Sequence, residues 1–132
     1  MKSFLCLLLA LTPAVAHADK NYRSGKGATW DCKKDPKVNI SHGKGVYTFK
    51  GACTQINLTG GKSKLTIESV DELNISSADN TVTIGTLGAL NLVGANNKIT
   101  YKAAKEGDTA QVSSVGTGNV VEKIGGATAK RQ

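Results

Sequence analysis

Residues 64–101 read KLTIESVDELNISSADNTVTIGTLGALNLVGANNKITY and carry a pattern that continues on both sides of this stretch. One set of triplets places Asn between apolar residues: Val38-Asn39-Ile40, Ile56-Asn57-Leu58, Leu73-Asn74-Ile75 and Leu90-Asn91-Leu92. A second set places Thr there: Tyr47-Thr48-Phe49, Leu65-Thr66-Ile67, Val82-Thr83-Ile84 and Ile99-Thr100-Tyr101. In both sets, successive triplets begin 18, 17 and 17 residues apart. Two short strands in a fixed repeat are typical of a stacked coil of strands.

Side chains alternate along a strand, so the apolar residues of each triplet should point inward while Asn or Thr points outward. We therefore predict an all-β fold: a short parallel β-solenoid of about five rungs, each with roughly 17 residues and two strands. Gly and Asn recur in the connections, and we attribute this to positive φ angles in tight turns. The solenoid should span residues 37–124, with a degenerate last rung as its cap.

Length and composition limit what this chain can be. It has 132 residues, of which 39% are hydrophobic and 5% aromatic, and a formal net charge of +7. This is enough for one domain with a modest core of Val, Ile, Leu and Ala. A large multidomain enzyme and a zinc cluster are both disfavoured.

The N-terminus has the features of a secretory signal. Met1-Lys2 is basic, residues 4–11 are apolar, and Ala16-His17-Ala18 supplies small residues at a cleavage site. We predict a signal peptide at 1–18, cleavage after Ala18, and export to the periplasm or the medium, with no membrane span. A lipoprotein anchor at Cys6 fits poorly because no pair of small residues precedes it. We expect an N-terminal arm and cap at 19–36, with Tyr22 and Trp30 covering the first rung, and a disordered tail at 125–132.

Two cysteines, Cys32 and Cys53, remain after the predicted cleavage. In an exported chain they most simply form one disulfide. Two unpaired buried thiols remain an alternative. A redox-active pair is disfavoured because the spacing is unlike Cys-x-x-Cys.

The pattern resembles a known family. A Gly-x-x-Asn turn followed by Val/Ile-Thr-Ile/Tyr, and Gly51-Ala52-Cys53 leading into Ile-Asn-Leu, resemble the bacterial family Domain of Unknown Function 3060 over about residues 32–124. Ser63 stands where that pattern has Asn, and residues 105–108 lie in an insertion. The resemblance implies an exported, repeat-built domain and provides no catalytic residues.

Two outward columns are candidate surfaces. The first is Asn39, Asn57, Asn74 and Asn91. Because Asn is depleted in strands, this column suggests an amide ladder or, alternatively, a flat sugar-binding face. The second is Thr48, Thr66, Thr83 and Thr100, which β-propensity alone explains. Ice binding is the less favoured alternative because charged residues such as Lys64, Lys98 and Lys102 interrupt the plane.

Basic residues concentrate near the N-terminus. Residues 19–50 carry eight basic and three acidic side chains, a difference of +5. We predict a patch of Lys33, Lys34, Lys37, Lys44 and Lys50 that contacts an anionic envelope polymer or polysaccharide. A merely solvated surface is the alternative. Nucleic acid is an unlikely partner because few aromatics are present for base stacking.

Catalytic and metal-binding patterns are weak. His42 is the single histidine after residue 18 and more simply serves as a turn residue. Glu68, Asp71 and Glu72 cluster at one connection only, and the Gly-rich turns lack the repeated Asp of calcium-binding solenoids. We therefore expect no metal, no cofactor and no catalysis: the protein should be a binding or structural module of the cell envelope. A polysaccharide-acting solenoid enzyme is the main alternative, and the oligomeric state is not indicated.

Overall fold

The computed structural model describes residues 20–23 and 27–124, and this part of the chain is all-β. Nine strands form one continuous sheet in which every pairing is parallel. They are β1 Lys20–Tyr22, β2 Gly27–Asp31, β3 Lys37–Ile40, β4 Val46–Leu58, β5 Lys64–Ser76, β6 Thr81–Val93, β7 Lys98–Ala104, β8 Gln111–Val115 and β9 Val120–Lys123. The predicted parallel β-solenoid is confirmed.

The sheet winds into two faces. The Thr face consists of β2, the first halves of β4, β5 and β6, then β7 and β9. The Asn face consists of β1, β3, the second halves of β4, β5 and β6, and β8. Each face has six strands, so the solenoid has six turns. The count exceeds the expected five or so because β1 and β2, within the predicted arm, pair in register with β3 and β4.

Two edges join the faces, and we name them by their conformation. At the bend edge, the long strands β4, β5 and β6 change direction without interruption, and the register of β4 shifts between Phe49 and Ala52 around Gly51, whose φ is +77°. At the turn edge, tight turns at residues 41–45, 59–63, 77–80, 94–97 and 116–119 separate the strands. This geometry places equivalent residues of successive turns about 4.8 Å apart.

The core lies between the two faces. Every apolar triplet residue predicted to point inward, from Val38 to Tyr101, is buried. Val70 and Leu87 fill the interior at the bend edge. Full burial of one such side chain stabilises a fold by about 1.5–3 kcal/mol, so this repeated column is the main source of stability.

The Cys32–Cys53 disulfide lies inside this core. Its Cα atoms are 5.0 Å apart, and the two residues are 1% and 0% exposed. Cys53 is in register with Val70, which is in register with Leu87, so the bridge occupies the interior column at the bend edge. The disulfide predicted for an exported chain is confirmed, and it links the first turn to the second.

The two ends of the solenoid differ. At the N-terminal end, Tyr22 packs with its ring centroid 5.1 Å from that of Tyr47, and Trp30 is half-buried against the core. At the C-terminal end, β8 is exposed throughout, including Val112 and Val115. The predicted signal peptide and the predicted tail lie outside the described residues. Within the described ranges there is no helix of the length and apolarity that crossing a bilayer requires.

Candidate functional site

The five lysines predicted as one basic patch lie at opposite edges of the solenoid. Lys33 and Lys34 follow β2 at the bend edge, and Lys37 and Lys50 lie on the strands next to it. Lys44 lies in the turn before β4, where its backbone N–H donates to the carbonyl oxygen of Gly61 at 2.9 Å. A strand segment of five residues separates the edges by about 16 Å. The structure therefore does not bring the five side chains together.

At the bend edge, the lysines are interspersed with carboxylates. Asp31 accepts a hydrogen bond from the backbone N–H of Lys33 at 2.9 Å and is in register with Lys50. Glu68 accepts from the backbone N–H of Gly51 at 2.8 Å. The positive potential of this edge is reduced by these nearby negative charges.

At the turn edge, Lys44 lies on the same concave surface as Lys62, which is not one of the five predicted lysines. Lys44 and Lys62 line a shallow cavity of about 460 Å³ together with Gly43, Gly61, Ala78 and Asp79. Both lysines are exposed. Two cations and one carboxylate therefore line one concave surface.

Two further lysines lie at the turn edge, each at the first strand position after a turn. Lys64 is in register with Thr81, which is in register with Lys98, and both lysines are exposed. We call Lys44, Lys62, Lys64 and Lys98 the basic edge. Lys105–Asp71 is the one ion pair in the described part of the chain, so none of these four lysines is ion-paired there.

The sequence contained a signal for this cluster. Lys62 follows Lys44 by 18 residues, which is the repeat length at that point. Stacking therefore places them in neighbouring turns, although they are distant in sequence. Local charge density does not reveal Lys62, because the lysine it stacks on is 18 residues away in the sequence.

The backbone of Lys44 and Lys62 supports a role for their side chains. Their φ angles are +60° and +56°, in the left-handed region. This conformation costs a residue with a Cβ about 1–2 kcal/mol. In the last turn Gly118 takes the equivalent position, with φ +73°. Asp79 and Asn96 take it in the turns between, with φ +61° and +56°. The turn conformation therefore does not by itself select lysine at Lys44 and Lys62.

The Thr column is one residue longer than predicted. Thr29 joins the four predicted residues, and the register runs Thr29, Thr48, Thr66, Thr83, Thr100 and then Glu122. Within the described part of the chain, none of the five hydroxyls has a hydrogen-bond partner. Each hydroxyl therefore keeps one donor and two acceptor positions for solvent or a ligand.

The Asn column, in contrast, forms an internal ladder. Asn91 donates through Nδ2 to Oδ1 of Asn74 at 2.8 Å, Asn74 to Asn57 at 2.9 Å, and Asn57 to Asn39 at 2.8 Å. Asn39 donates in turn to Asn21 at 3.1 Å. These bonds form a structural amide ladder, and they use donors and acceptors of the Asn side chains that would otherwise be available to a ligand.

A second, buried Asn ladder at the turn edge corrects the reason assigned to Asn80 and Asn97, whereas the positive φ expected of turn Asn is confirmed at Asn96, at +56°. Asn80 and Asn97 are each 1% exposed and do not have positive φ; the left-handed residues precede them, at Asp79 and Asn96. Oδ1 of Asn80 instead accepts from the backbone N–H of Ser63 at 3.0 Å. Asn is present at these positions because its amide bonds to the neighbouring turn.

The three clustered carboxylates are engaged in structural contacts. Glu68 bonds to the Gly51 backbone, as described above. Asp71 is ion-paired with Lys105, and Glu72 accepts from Nδ2 of Asn74 at 2.9 Å. His42 lies in the turn before β4. Among residues 20–23 and 27–124, no three His, Cys, Asp or Glu side chains form a group that could hold a metal ion.

Aromatic side chains are concentrated at the N-terminal end and point inward. Burial raises the pKa of the Tyr47 hydroxyl, and burial followed by the nearby Tyr47 raises the pKa of Tyr22. Lys20 lies over Trp30, with Nζ 4.6 Å from the ring centroid, and Lys34 lies 5.8 Å from the same ring. These rings therefore belong to the cap of the solenoid.

Residues 43–87 match a family model described as a protein of unknown function, DUF3060. The resemblance expected from the turn and strand pattern is thus confirmed over these residues, which include Lys44, Lys62 and Lys64. No curated protein and no solved structure matches the chain.

Proposed function

We propose that this protein is an exported, non-catalytic binding module of the bacterial cell envelope that holds an anionic polymer or polysaccharide. The observation that carries the proposal is the basic edge. Four exposed lysines without ion-pair partners in the described chain lie along one edge of a rigid repeat, and two of them line a cavity. Two lysines against the single carboxylate of Asp79 leave this concave surface with a positive excess, which attracts anionic ligands.

The repeat suits a polymer better than a small anion. Lys44 and Lys62 lie in adjacent turns, about 4.8 Å apart along the stacking direction, and Lys64 and Lys98 lie two turns apart, about 9.6 Å. A polymer with regularly spaced negative groups would contact several of these lysines at once. Each additional contact on one chain is an intramolecular event, so a set of weak contacts would give a useful affinity.

An enzyme acting on envelope polysaccharide is the rival. Its best support is a second cavity of about 220 Å³, lined by Asp71 and Glu106 together with Lys105, Gly88, Ala89, Thr109 and Gln111. The Asp71–Lys105 ion pair favours a structural role for Asp71, because the carboxylate is already engaged by a cation of this chain. Ice binding is less favoured, because the Thr column is single and lysines flank it.

Two quadruple variants with the same charge change test the proposal. The first changes the basic edge: Lys44, Lys62, Lys64 and Lys98 to Gln. The second changes four lysines of the N-terminal end that lie off the Thr face: Lys20, Lys33, Lys34 and Lys37 to Gln. Both lower the net charge by four, so any difference between them reports position and not overall charge. Binding of the mature chain to fractionated envelope polymers is measured at 50 and 300 mM salt.

We expect the first variant to bind at least tenfold more weakly than the second, and binding of the unmodified protein to fall with salt. Equal loss in both variants would contradict a defined site. Salt-independent binding that is lost in Asp71→Asn or Glu106→Gln, with shortening of the polymer over time, would favour the enzyme.

A further inference from the structure

We infer that the Thr face, together with the basic edge, is a binding site for an acidic polysaccharide, and that the Thr column forms hydrogen bonds with the hydroxyl groups of this polysaccharide. This inference rests on the proposed function and specifies the ligand. Its starting point is the contrast between the two faces. The amides of the Asn column bond to one another from turn to turn, whereas the five Thr hydroxyls have no partner in the described chain.

The lysines stand on both sides of the Thr column. Lys64 and Lys98 lie two residues before Thr66 and Thr100 on their strands, and Lys102 lies two residues after Thr100. Residues two apart on a strand point to the same side and are about 6.6 Å apart. Lys50 has the same relation to Thr48. The face therefore presents a hydroxyl row with two lysines on each side, Lys64 and Lys98 on one and Lys50 and Lys102 on the other.

The negative charge on this face is limited. Glu68 is occupied by the N–H of Gly51, and Glu122 lies at the end of the Thr column. Gly85 stacks between Glu68 of the turn before and Lys102 of the turn after, and it has no side chain. A Cβ at Gly85 would lie 2.4 Å from the backbone oxygen of Glu68. Gly85 therefore adds neither a side chain nor a charge to this part of the face.

Hydroxyls distinguish a sugar polymer from other polyanions. A hydroxyl both donates and accepts, as do the hydroxyls of a sugar, whereas phosphate oxygens only accept. A row of Thr would therefore make reciprocal hydrogen bonds with a glycan, and the lysines would pair with its carboxylates. The described strands of this face carry no exposed aromatic residue on which nucleic acid bases could stack; Trp30 is half-buried and in register with Phe49.

The probes are polygalacturonate, which is an acidic glycan, polyphosphate, which is a polyanion without hydroxyls, and dextran, which is a neutral glycan. The test variant changes three adjacent members of the column, Thr48, Thr66 and Thr83, to Val. Valine keeps the shape and the strand propensity and removes only the hydroxyl. A matched control changes three threonines outside the face, Thr86, Thr109 and Thr117, to Val. Circular dichroism and thermal unfolding confirm that both variants fold.

We expect the test variant to bind polygalacturonate at least tenfold more weakly than the control, while polyphosphate binding stays within twofold. The basic-edge variant should lose affinity for both polyanions. Unchanged polygalacturonate binding in the Thr variant would overturn this inference and leave the proposed function standing. Absence of binding to either polyanion would overturn both. Dextran binding equal to that of polygalacturonate, or tighter binding of single-stranded DNA, would overturn the assignment to an acidic glycan.

Discussion

Oδ1 of Asn97 accepts two hydrogen bonds from Asn80, one from the backbone N–H at 3.1 Å and one from Nδ2 at 2.9 Å. Asn97 also donates through Nδ2 to the carbonyl oxygen of Ser77 at 2.9 Å. One buried side chain thus satisfies polar groups of the turn below it. The turn edge is therefore held by side-chain amides where regular strand pairing is interrupted.

Replacing this amide should be costly. Asn97→Ala leaves buried donors and an acceptor without partners, so we expect the free energy of unfolding to fall by about 2–4 kcal/mol. Asn91→Ala is the matched control, because Asn91 is exposed and donates a single ladder bond; it should cost less than about 1 kcal/mol. Urea unfolding of both variants checks the difference. Equal costs would show that burial does not distinguish the two ladders.

The inward and outward positions of one strand should differ sharply in tolerance. Ile75 is 1% exposed, whereas its neighbour Ser76 is exposed. Ile75→Asp introduces an unpaired charge into the core and should cost about 4 kcal/mol or more. Ser76→Asp should change stability by less than about 0.5 kcal/mol. Thermal unfolding of the pair checks this, and similar melting temperatures would contradict the register.

Reduction of the disulfide should destabilise the domain without abolishing its strands. Cys32 and Cys53 are 21 residues apart, and closing a loop of this size contributes about 3 kcal/mol by the chain-entropy relation. We expect urea unfolding with a reductant to show a loss of this size. The Cys32→Ala/Cys53→Ala double variant is the control and should not respond to the reductant. A reductant effect that persists in the double variant would rule out this explanation.

Alkaline pH should weaken the N-terminal end. The pKa of Tyr22 and Tyr47 is raised above the ordinary 10.0, so the folded state favours the neutral phenol. This contribution is complete below pH 10 and is lost as pH rises from 10 toward the folded pKa, because the unfolded chain releases the proton first. Stability measured from pH 8 to 11 should therefore fall less steeply in a Tyr22→Phe/Tyr47→Phe variant than in the unmodified protein. An identical slope would contradict this origin.

The Tyr47 hydroxyl also leads to a prediction at neutral pH. The Tyr47 hydroxyl is buried and has no hydrogen-bond partner in the described chain. Tyr47→Phe should therefore raise the free energy of unfolding by up to about 1 kcal/mol at pH 7, since it removes an unsatisfied polar group. Urea titration measures this change. A loss of more than 1 kcal/mol would indicate that the hydroxyl has a partner such as bound water.

The sequence by itself determined the class of fold and its core. The alternation of apolar and polar residues identified the inward residues from Val38 to Tyr101, because successive side chains of a strand point to opposite sides. The repeat placed Asn on one face and Thr on the other, because residues one repeat apart stack in successive turns. Cysteine number and the expected export were enough to predict the Cys32–Cys53 bridge. All of these are local or periodic properties, which a linear sequence records directly.

The tertiary structure decided the first turn, the purpose of the turn asparagines and the grouping of charges. β1 and β2 have weak strand patterns and are held by pairing with β3 and β4, so their own residues do not reveal them. Asn80 donates a hydrogen bond to Asn97, 17 residues later in the sequence, and Lys44 lines one cavity with Lys62, 18 residues later. The five predicted patch lysines, although close in sequence, are separated because the chain crosses a whole face between the two edges. Two residues of a solenoid are close in space when they lie on neighbouring rungs and on the same edge. The rung and the edge of a residue are both set by how the chain winds.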